Sequence, residues 1–148
     1  MEIREEKLNE ALSAELIALS ADWAAENSCT GYRANAWDDL KDERFFLARE
    51  GGELVGYLFG HRERTKKDSS VMPAGTPVFE VEELYVRPQR RSQGIGRALF
   101  AEAERTMKEE GAAYVLLSTA TKDWRAILHF YLEELGMGFW SARLYKRL

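Results

Sequence analysis

Two hydrophobic periodicities alternate along this chain and predict both helices and strands. Leucines recur near helical spacing at the start of the chain, at Leu8, Leu12, Leu16 and Leu19, and predict a helix from Leu8 to Ala25. Three further helices are predicted, over Ala36–Leu40 with Asn35 as its N-cap, over Gln93–Glu110, and from Asp123 or Trp124 to near Leu135 with Gly136 just beyond its end.

Shorter apolar runs predict the strands. Arg44–Arg49 and Glu53–Phe59 flank Glu50-Gly51-Gly52, which is the pattern of a β-hairpin. Ala113–Thr119 is a continuous apolar run, so we expect it to be buried on both faces. The other predicted strands are Met1–Arg4, Val78–Val86 and a last strand or strand pair in Phe139–Tyr145. The order strand, helices, three strands, helix, strand, helix, strand predicts a mixed α/β (α+β) domain.

A polar stretch from His61 to Pro77 separates the hairpin from the strand at Val78. It contains Lys66, Lys67 and other polar, Pro and Gly residues. Loops of about fifteen residues inside a compact domain are uncommon and tend to be functional or disordered. We therefore expect a mobile loop that contributes to a substrate pocket.

Composition and charge limit the function classes. The chain has 148 residues and a formal net charge of -4, which predicts one domain, residues 1–148, with a sizeable core. The acidic balance argues against nucleic-acid binding and mildly favours cationic substrates. The chain starts without a basic and then apolar segment, and no run of about eighteen apolar residues occurs. We therefore expect no signal peptide, no membrane contact and a cytoplasmic location.

Cys29 is the only cysteine, and His61 and His129 are the only histidines. A single cysteine forms no intrachain disulfide, which fits a reducing cytoplasm. No histidine lies near Cys29 in the sequence to activate it as a nucleophile. One cysteine and two isolated histidines also make no ligand set, so no metal is expected.

The segment Arg91-Ser92-Gln93-Gly94-Ile95-Gly96 lies between the strand that ends at Val86 and the helix that follows. Unpaired N–H groups and the positive dipole end at a helix N-terminus attract anions, and glycines let the backbone approach a bulky one. The predicted ligand is a phosphate or pyrophosphate. The spacing matches neither the dinucleotide fingerprint nor the P-loop, which argues against a nucleotide phosphotransferase. The alternative is a helix start whose glycines serve packing only.

Two segments resemble the GNAT superfamily of N-acetyltransferases. Val86–Leu99 contains Arg91-x-x-Gly94-x-Gly96, which resembles the acetyl-CoA signature of that superfamily. Phe130–Met137 is similar to its FYEKLGF segment, with one extra residue and a terminal Met in place of Phe. The resemblance implies an enzyme that moves an acetyl group from acetyl-CoA, its cosubstrate, to a primary amine by direct attack. It also implies a mostly antiparallel sheet, flanked by helices and splayed between its fourth and fifth strands, here 78–86 and 113–119.

The same resemblance implies cofactor contacts. Backbone groups of Leu84 and Val86 would pair with the pantetheine arm as if it were another strand. The side chains of Arg90 and Arg91 are expected to bind phosphate oxygens, unless this basic turn is simply solvated. The implied cofactor-binding residues are Leu84, Tyr85, Val86, Arg91, Ser92, Gln93, Gly94, Ile95, Gly96 and Arg97.

A catalytic acid is implied at Tyr131, which would protonate the thiolate of coenzyme A. A tyrosine with an ordinary pKa is protonated at neutral pH and can donate this proton. The alternative is a half-buried tyrosine that packs on its helix. The segment departs from the family at Trp124 and Ile127, where the family often has Asn and Ala, and this puts one cofactor contact in doubt.

A carboxylate on the strand 78–86 often serves as the base in this family. We prefer Glu82, then Glu83, then Glu80 for this role. Strict alternation places Glu80 and Glu82 on one face and Glu83 on the other, but the resemblance implies a bulge in this strand. The alternative for each glutamate is exposure to solvent, or binding of the substrate ammonium without accepting its proton.

The acceptor pocket is expected to form from residues 23–40 and the 61–77 loop. Its candidate lining residues, for which core packing is the alternative, are Trp23, Tyr32, Trp37 and Tyr85. His129 lies two residues from Tyr131 and so on another side of the helix, where it is structural or exposed.

A small-molecule amine or polyamine is favoured as the acceptor over a protein lysine or N-terminus. The alternative to an enzyme is a non-catalytic acyl-CoA-binding sensor or interaction module. Tyr131→Phe separates the two, because an enzyme loses turnover while it keeps coenzyme A binding. Exposed edge strands in such a sheet are compatible with a homodimer.

Overall fold

The computed structural model describes residues 1–148, and five strands form its one sheet. They are β1 (Glu2–Glu6), β2 (Arg44–Glu50), β3 (Glu53–Arg64), β4 (Pro77–Val86) and β5 (Tyr114–Leu117). Strands that follow one another in the chain are neighbours in the sheet. All pairs are antiparallel except β4 and β5, which are parallel. The predicted mixed α/β class is confirmed.

Helices cover both faces of this sheet. They are α1 (Glu10–Glu26), α2 (Trp37–Leu40), α3 (Ile95–Glu109) and α4 (Trp124–Leu128), which continues as a π-helical turn over His129–Glu134. Leu16 of α1 and Tyr57 of β3 belong to the apolar cluster on one face. Leu99 of α3 and Phe79 of β4 belong to the cluster on the other face. No helix of the chain combines the length and the apolarity that crossing a bilayer requires.

The hairpin between β2 and β3 follows the prediction. Gly51 and Gly52 form its tip with φ of 56° and 85°. Positive φ at both central residues matches the right-handed twist of the flanking strands, and glycine adopts it without a steric penalty. β3 is longer than predicted: it continues past the end of β2 to Arg64, and its last four residues pair only with β4.

The expected mobile loop at 61–77 is instead a compact connection. Its first residues belong to β3, and residues 65–76 close on themselves through backbone bonds. Thr65 N–H donates to the Thr76 carbonyl at 3.0 Å, and Gly75 N–H donates to the Thr65 carbonyl at 2.7 Å. Met72 anchors the connection with only 3% of its surface exposed. The polar composition therefore reflects a hydrogen-bonded turn rather than a mobile segment.

The sheet splays where β4 loses its partner on the β5 side. Val78–Val81 pair with Tyr114–Leu117. Beyond this point, Glu82–Val86 have no partner on the β5 side, and Glu83–Val86 remain paired with β3. This confirms the predicted separation of the fourth and fifth strands. It leaves an open backbone edge along the second half of β4.

Two predictions at the C-terminal side of the sheet are wrong. β5 has four residues and is not buried on both faces, since Tyr114 is 42% exposed; β4 is its only partner. The segment Phe139–Tyr145 forms no strand. Leu144 and Tyr145 are 95% and 90% exposed. Alternating apolar residues do not make a strand unless a second strand accepts their backbone hydrogen bonds.

Candidate active site

A β-bulge in β4 brings two glutamates to one cavity. Phe59 of β3 pairs with Glu83, but the next residue, Gly60, pairs with Val81, which leaves Glu82 without a partner. An extra residue in one strand reverses the alternation of side chains beyond it. Glu82 and Glu83 therefore both line a cavity of about 340 Å³ between β4 and the segment before β2. The bulge that the resemblance implies is present.

Glu83 is held in place by three donors. The Tyr57 and Tyr32 hydroxyls donate to it at 2.8 Å and 3.1 Å, and Asn35 Nδ2 lies 3.0 Å from both of its carboxylate oxygens. Burial raises the pKa of Glu83, and the three hydrogen bonds partly offset that rise. Its acceptor capacity is largely used inside the protein.

Asn35 does not cap α2, and that prediction is wrong. Ala36 occupies the N-cap position, and its N–H donates to the Asp39 carboxylate at 2.8 Å. The Asn35 amide turns to Glu83 because a bond to a half-buried carboxylate is stronger than a helix cap.

Glu82 and Glu80 differ from Glu83 in their surroundings. The Glu82 side chain is 46% exposed, and its Oε1 lies 3.6 Å from His61 Nδ1. Glu80 of β4 pairs with His61 of β3 and does not line the cavity. Burial raises the pKa of Glu80, and the negative charges of Glu82 and Glu63 add to the rise. Of the three glutamates, Glu82 is the one at the cavity with free acceptor capacity.

His61 does not line the cavity, but it contacts Glu43 and Glu82, which do. No such role was predicted for it from the sequence. Its Nδ1 lies 3.2 Å from Glu43 and its Nε2 lies 3.4 Å from Glu63. Burial lowers the pKa of His61, but the charges of Glu43 and Glu82 and a hydrogen bond to Glu43 outweigh this and raise it. Extending the predicted strand Glu53–Phe59 by two residues would have placed His61 on β3, opposite Glu80 of β4.

Tyr131 lies in the π-helical turn, where Leu135 N–H donates to the Phe130 carbonyl at 3.0 Å. Its ring packs against Phe100 and Phe130 and is 9% exposed. The hydroxyl has no hydrogen-bond partner within the protein. Burial, together with the nearby Cys29 thiol, raises the pKa of Tyr131 to about 12. The phenol is therefore protonated at neutral pH and free to donate.

The glycine turn before α3 has an open backbone. Gly94, with φ of 81°, is the N-cap residue of α3, and a Cβ added to it would meet no atom within 4 Å. The N–H groups of Ser92, Gln93 and Gly94 donate to no protein acceptor. Free N–H groups at the start of a fifteen-residue helix suit a bound anion.

Gly96 has a different role from Gly94. A Cβ at this position would lie 3.4 Å from Phe130 Cζ, in contact with the segment that carries Tyr131. Gly94 therefore borders open space, whereas Gly96 faces a neighbouring side chain.

The arginines of this turn already have protein partners. Arg91 Nη2 lies 2.8 Å from Glu26 and its Nε donates to the Val86 carbonyl at 2.9 Å. Arg90 Nη2 lies 2.6 Å from Glu50, and Arg97 donates to the Glu134 carbonyl at 3.2 Å. These side chains are therefore held by protein partners, although Arg90 Nε is buried without one. The backbone N–H groups of Ser92, Gln93 and Gly94 are the other unpaired donors of the turn.

The four candidate aromatic residues divide between the core, the cavity and the exposed surface. Trp23 stacks on Tyr85 with ring centroids 5.2 Å apart, and Tyr85 is buried with its hydroxyl bonded to Glu26 at 2.7 Å. Trp37 is 50% exposed and lies outside the cavity lining, so Tyr32 alone of the four lines the cavity. The 61–77 loop does not line it either.

Comparison with known proteins agrees with this architecture. A model of the acetyltransferase (GNAT) family matches residues 9–137. The aminoalkylphosphonate N-acetyltransferase of Salmonella typhimurium is 33% identical over 124 residues, which cover 84% of this chain and 73% of that protein. A mycothiol acetyltransferase of Frankia alni is 35% identical over 98 residues, or 64% of this chain. The chain spans only 28% of the length of that enzyme.

Solved structures share the fold at lower sequence identity. The aminoglycoside N-acetyltransferase AAC(6')-Iy in complex with CoA has a TM-score of 0.68 and 18% identity, with 99% of this chain and 98% of that chain covered. A transcriptional regulator from Bacillus halodurans C-125 has a TM-score of 0.72 and 21% identity, with 99% and 100% covered. The family model matches most of this chain, and the relative from Salmonella is similar over most of it as well. This chain therefore belongs to the acetyltransferase (GNAT) family.

Proposed function

We propose that this protein, as one domain over residues 1–148, moves the acetyl group of acetyl-CoA directly to a small-molecule primary amine. The proposal is supported by two features of β4, its open edge and its bulge. Its open edge from Glu82 to Val86 leads to the glycine turn at Gly94, and its bulge directs carboxylates into the adjacent cavity. One rigid strand thereby aligns a site for the thioester with a site for the amine.

The open edge and the turn supply the contacts for the cosubstrate. Leu84 and Val86 offer strand backbone groups to the pantetheine arm, on either side of the buried Tyr85. Residues 91–97 offer the helix start to the diphosphate, with the N–H groups of Ser92, Gln93 and Gly94 as unpaired donors. No metal is needed for these contacts.

The chain's own residues then move two protons. Glu82 accepts a proton from the substrate ammonium, directly or through a water, which frees the nitrogen lone pair for attack on the thioester carbonyl carbon. A C–N bond forms as the C–S bond breaks, and the nitrogen then loses its second proton to solvent to give the neutral amide. The Tyr131 hydroxyl gives its proton to the departing sulfur and recovers one from solvent, and Glu82 releases its proton to solvent.

The geometry favours Glu82 over the other glutamates as the base. Glu83 accepts bonds from three side chains, so it serves as a fixed negative charge beside the reacting amine. Glu80 lies outside the cavity lining. Glu82 reaches the cavity and retains solvent access, through which its proton can leave.

The test combines turnover with cosubstrate binding. We expect release of free coenzyme A when acetyl-CoA and a panel of primary amines are supplied, and Tyr131→Phe to lower kcat about 100-fold with unchanged affinity for coenzyme A. The matched control is Tyr114→Phe, at an exposed tyrosine of β5. Binding of coenzyme A without turnover of any amine would favour the non-catalytic module. Undiminished turnover in Tyr131→Phe would show that the acid is another group.

The relatives act on acceptors of different charge. One is named for aminoalkylphosphonates, which pair an amine with an anionic phosphonate, and a structural neighbour for aminoglycosides, which carry several amines. Similarity alone supports an amine acceptor for this chain, and the charge of that acceptor has to be inferred from the cavity itself.

A further inference from the structure

The cavity at the bulge carries more negative charge than the proposed reaction uses. Glu82 and Glu83 share its wall with Asp39 and Glu43, and its only basic lining side chain is Arg33. The two terminal nitrogens of Arg33 each lie 2.9 Å from an oxygen of Asp39. A bidentate pair of this kind is neutral as a unit. The charge of Glu43, Glu82 and Glu83 is left without a lining cation.

His61 offsets this charge only in part. Its ring contacts Glu43, Glu63 and Glu82 at 3.2, 3.4 and 3.6 Å. One imidazolium carries a single positive charge, so three carboxylates around it stay negative in sum even when the ring is protonated. The cavity therefore keeps a negative potential whichever form the histidine adopts.

Glu43 is a carboxylate of the cavity wall that has no role in the proposed reaction. Its side chain is 15% exposed, and its one hydrogen-bond partner is His61. Burial raises its pKa, and the charge of His61 partly offsets that rise. A carboxylate withdrawn from water in this way is stabilised when a ligand brings a matching cation.

A second observation also points to a cationic ligand here. Glu83 accepts hydrogen bonds only from neutral donors, which are the Tyr57 and Tyr32 hydroxyls and the Asn35 amide. These bonds fix the carboxylate at the cavity but bring no positive charge to balance it.

We propose that the acceptor is a small dication: an amine with a second ammonium or guanidinium group, which Glu43 binds while the reacting amine lies at Glu82. This rests on the proposed function and names its acceptor class. The cavity of about 340 Å³ is near the lower end of the range for small-molecule sites, which suits a diamine or short polyamine. The same charge repels an amine that carries a phosphonate or carboxylate.

Three amines with similar carbon chains test the charge preference: butylamine, 1,4-diaminobutane and 3-aminopropylphosphonate, each with acetyl-CoA at fixed pH and salt. We expect kcat/KM for the diamine to exceed that for butylamine by about fivefold or more, after correction for its two equivalent amines. The phosphonate is expected to fall below butylamine. The preference for the diamine should shrink at high salt, because the attraction is electrostatic.

Two glutamate variants test whether Glu43 causes the preference for the diamine. Glu43→Gln should lower kcat/KM for the diamine about fivefold more than for butylamine. Glu63→Gln is the matched control: it also contacts His61, but it does not line the cavity, and it should keep the wild-type ratio of diamine to butylamine. Turnover of butylamine reports in each case that the variant is folded.

The outcomes separate the two proposals. Turnover of butylamine and diamine with equal kcat/KM, or preference for the phosphonate, overturns the dication while leaving the acetyltransferase in place. A diamine preference that survives in Glu43→Gln overturns the assignment of Glu43. Failure to acetylate any of the amines, with coenzyme A still bound, overturns the proposed function and this inference with it.

Discussion

Gly60 and Glu80 approach more closely than any side chain at position 60 would allow. A Cβ built on Gly60 would lie 2.0 Å from the Glu80 carbonyl oxygen and 2.9 Å from Val81 Cα. The contact lies at the register shift that leaves Glu82 unpaired. Because the opposing atoms belong to the backbone, no side-chain movement can make room. Glycine at position 60 is therefore a condition for the bulge that brings Glu82 and Glu83 to one cavity.

Gly60→Ala should disturb both the fold and the acceptor site. Forcing a methyl group against the Glu80 carbonyl should cost about 1–3 kcal/mol in the free energy of unfolding. It should also lower turnover more than coenzyme A affinity, since the bulge shifts while the turn before α3 does not. Urea unfolding, kinetics and calorimetry measure the three quantities.

Gly138→Ala is the matched control for Gly60→Ala. A Cβ at Gly138 meets no atom within 4 Å, and its φ is not positive, so this variant should stay within about 0.5 kcal/mol of wild type. Equal stability and turnover for the two alanine variants would show that the bulge does not depend on the glycine.

Gly94→Glu should weaken coenzyme A binding without a comparable loss of stability. The new side chain would enter open space at the start of α3 and bring a negative charge to the place proposed for the diphosphate. We expect the Kd for coenzyme A to rise about tenfold or more. Isothermal titration calorimetry gives the Kd, and thermal unfolding gives the stability.

Gly111→Glu controls for strain and charge in that experiment. Gly111 follows the other end of α3, has φ of 92° against 81° at Gly94, and is equally open. The two variants therefore carry the same added charge and a similar backbone penalty. If both change the Kd equally, the effect is a general one and the turn before α3 is not the diphosphate site.

Two tyrosines with different hydroxyl environments should respond differently to Phe. The hydroxyl of buried Tyr57 donates to half-buried Glu83 at 2.8 Å, so Tyr57→Phe should cost about 1.5–3 kcal/mol of stability. The Tyr131 hydroxyl has no protein partner, so Tyr131→Phe should change stability by less than about 0.5 kcal/mol. Urea unfolding of both variants measures the contrast. A large loss in Tyr131→Phe would reveal a structural bond for that hydroxyl and argue against its role as a free donor.

Local signals in the sequence sufficed for the features formed by adjacent residues. The hairpin tip at Gly51 and Gly52 needs only its own φ preferences and two flanking apolar runs. The turn at Gly94 is likewise predicted by the apolar strand pattern before it and the helical pattern after it. Such features depend on residues a few positions apart, so their pattern is visible in the chain itself.

The candidate acceptor site required contacts that no local pattern contains. Asn35 has the residue type of a helix cap, yet it donates to Glu83, 48 residues away, because tertiary contacts override local preference. His61 contacts Glu43 and Glu82 only because β3 extends past β2 and pairs with β4. The segment Phe139–Tyr145 shows the converse case. Its apolar residues favour a strand, but no neighbouring strand forms backbone hydrogen bonds with it.

His61→Gln should make stability depend less on pH. The charges of Glu43 and Glu82 outweigh burial and raise the pKa of folded His61 above its unfolded value. Protonation of His61 therefore stabilises the fold, fully below pH of about 6.5, and this stabilisation disappears as pH rises through the raised pKa. Urea unfolding from acidic to basic pH should show the gap between wild type and His61→Gln shrinking, with His129→Gln as the exposed control. The facing carboxylates titrate in both proteins, so a gap that stays constant or widens with pH would contradict a charged His61.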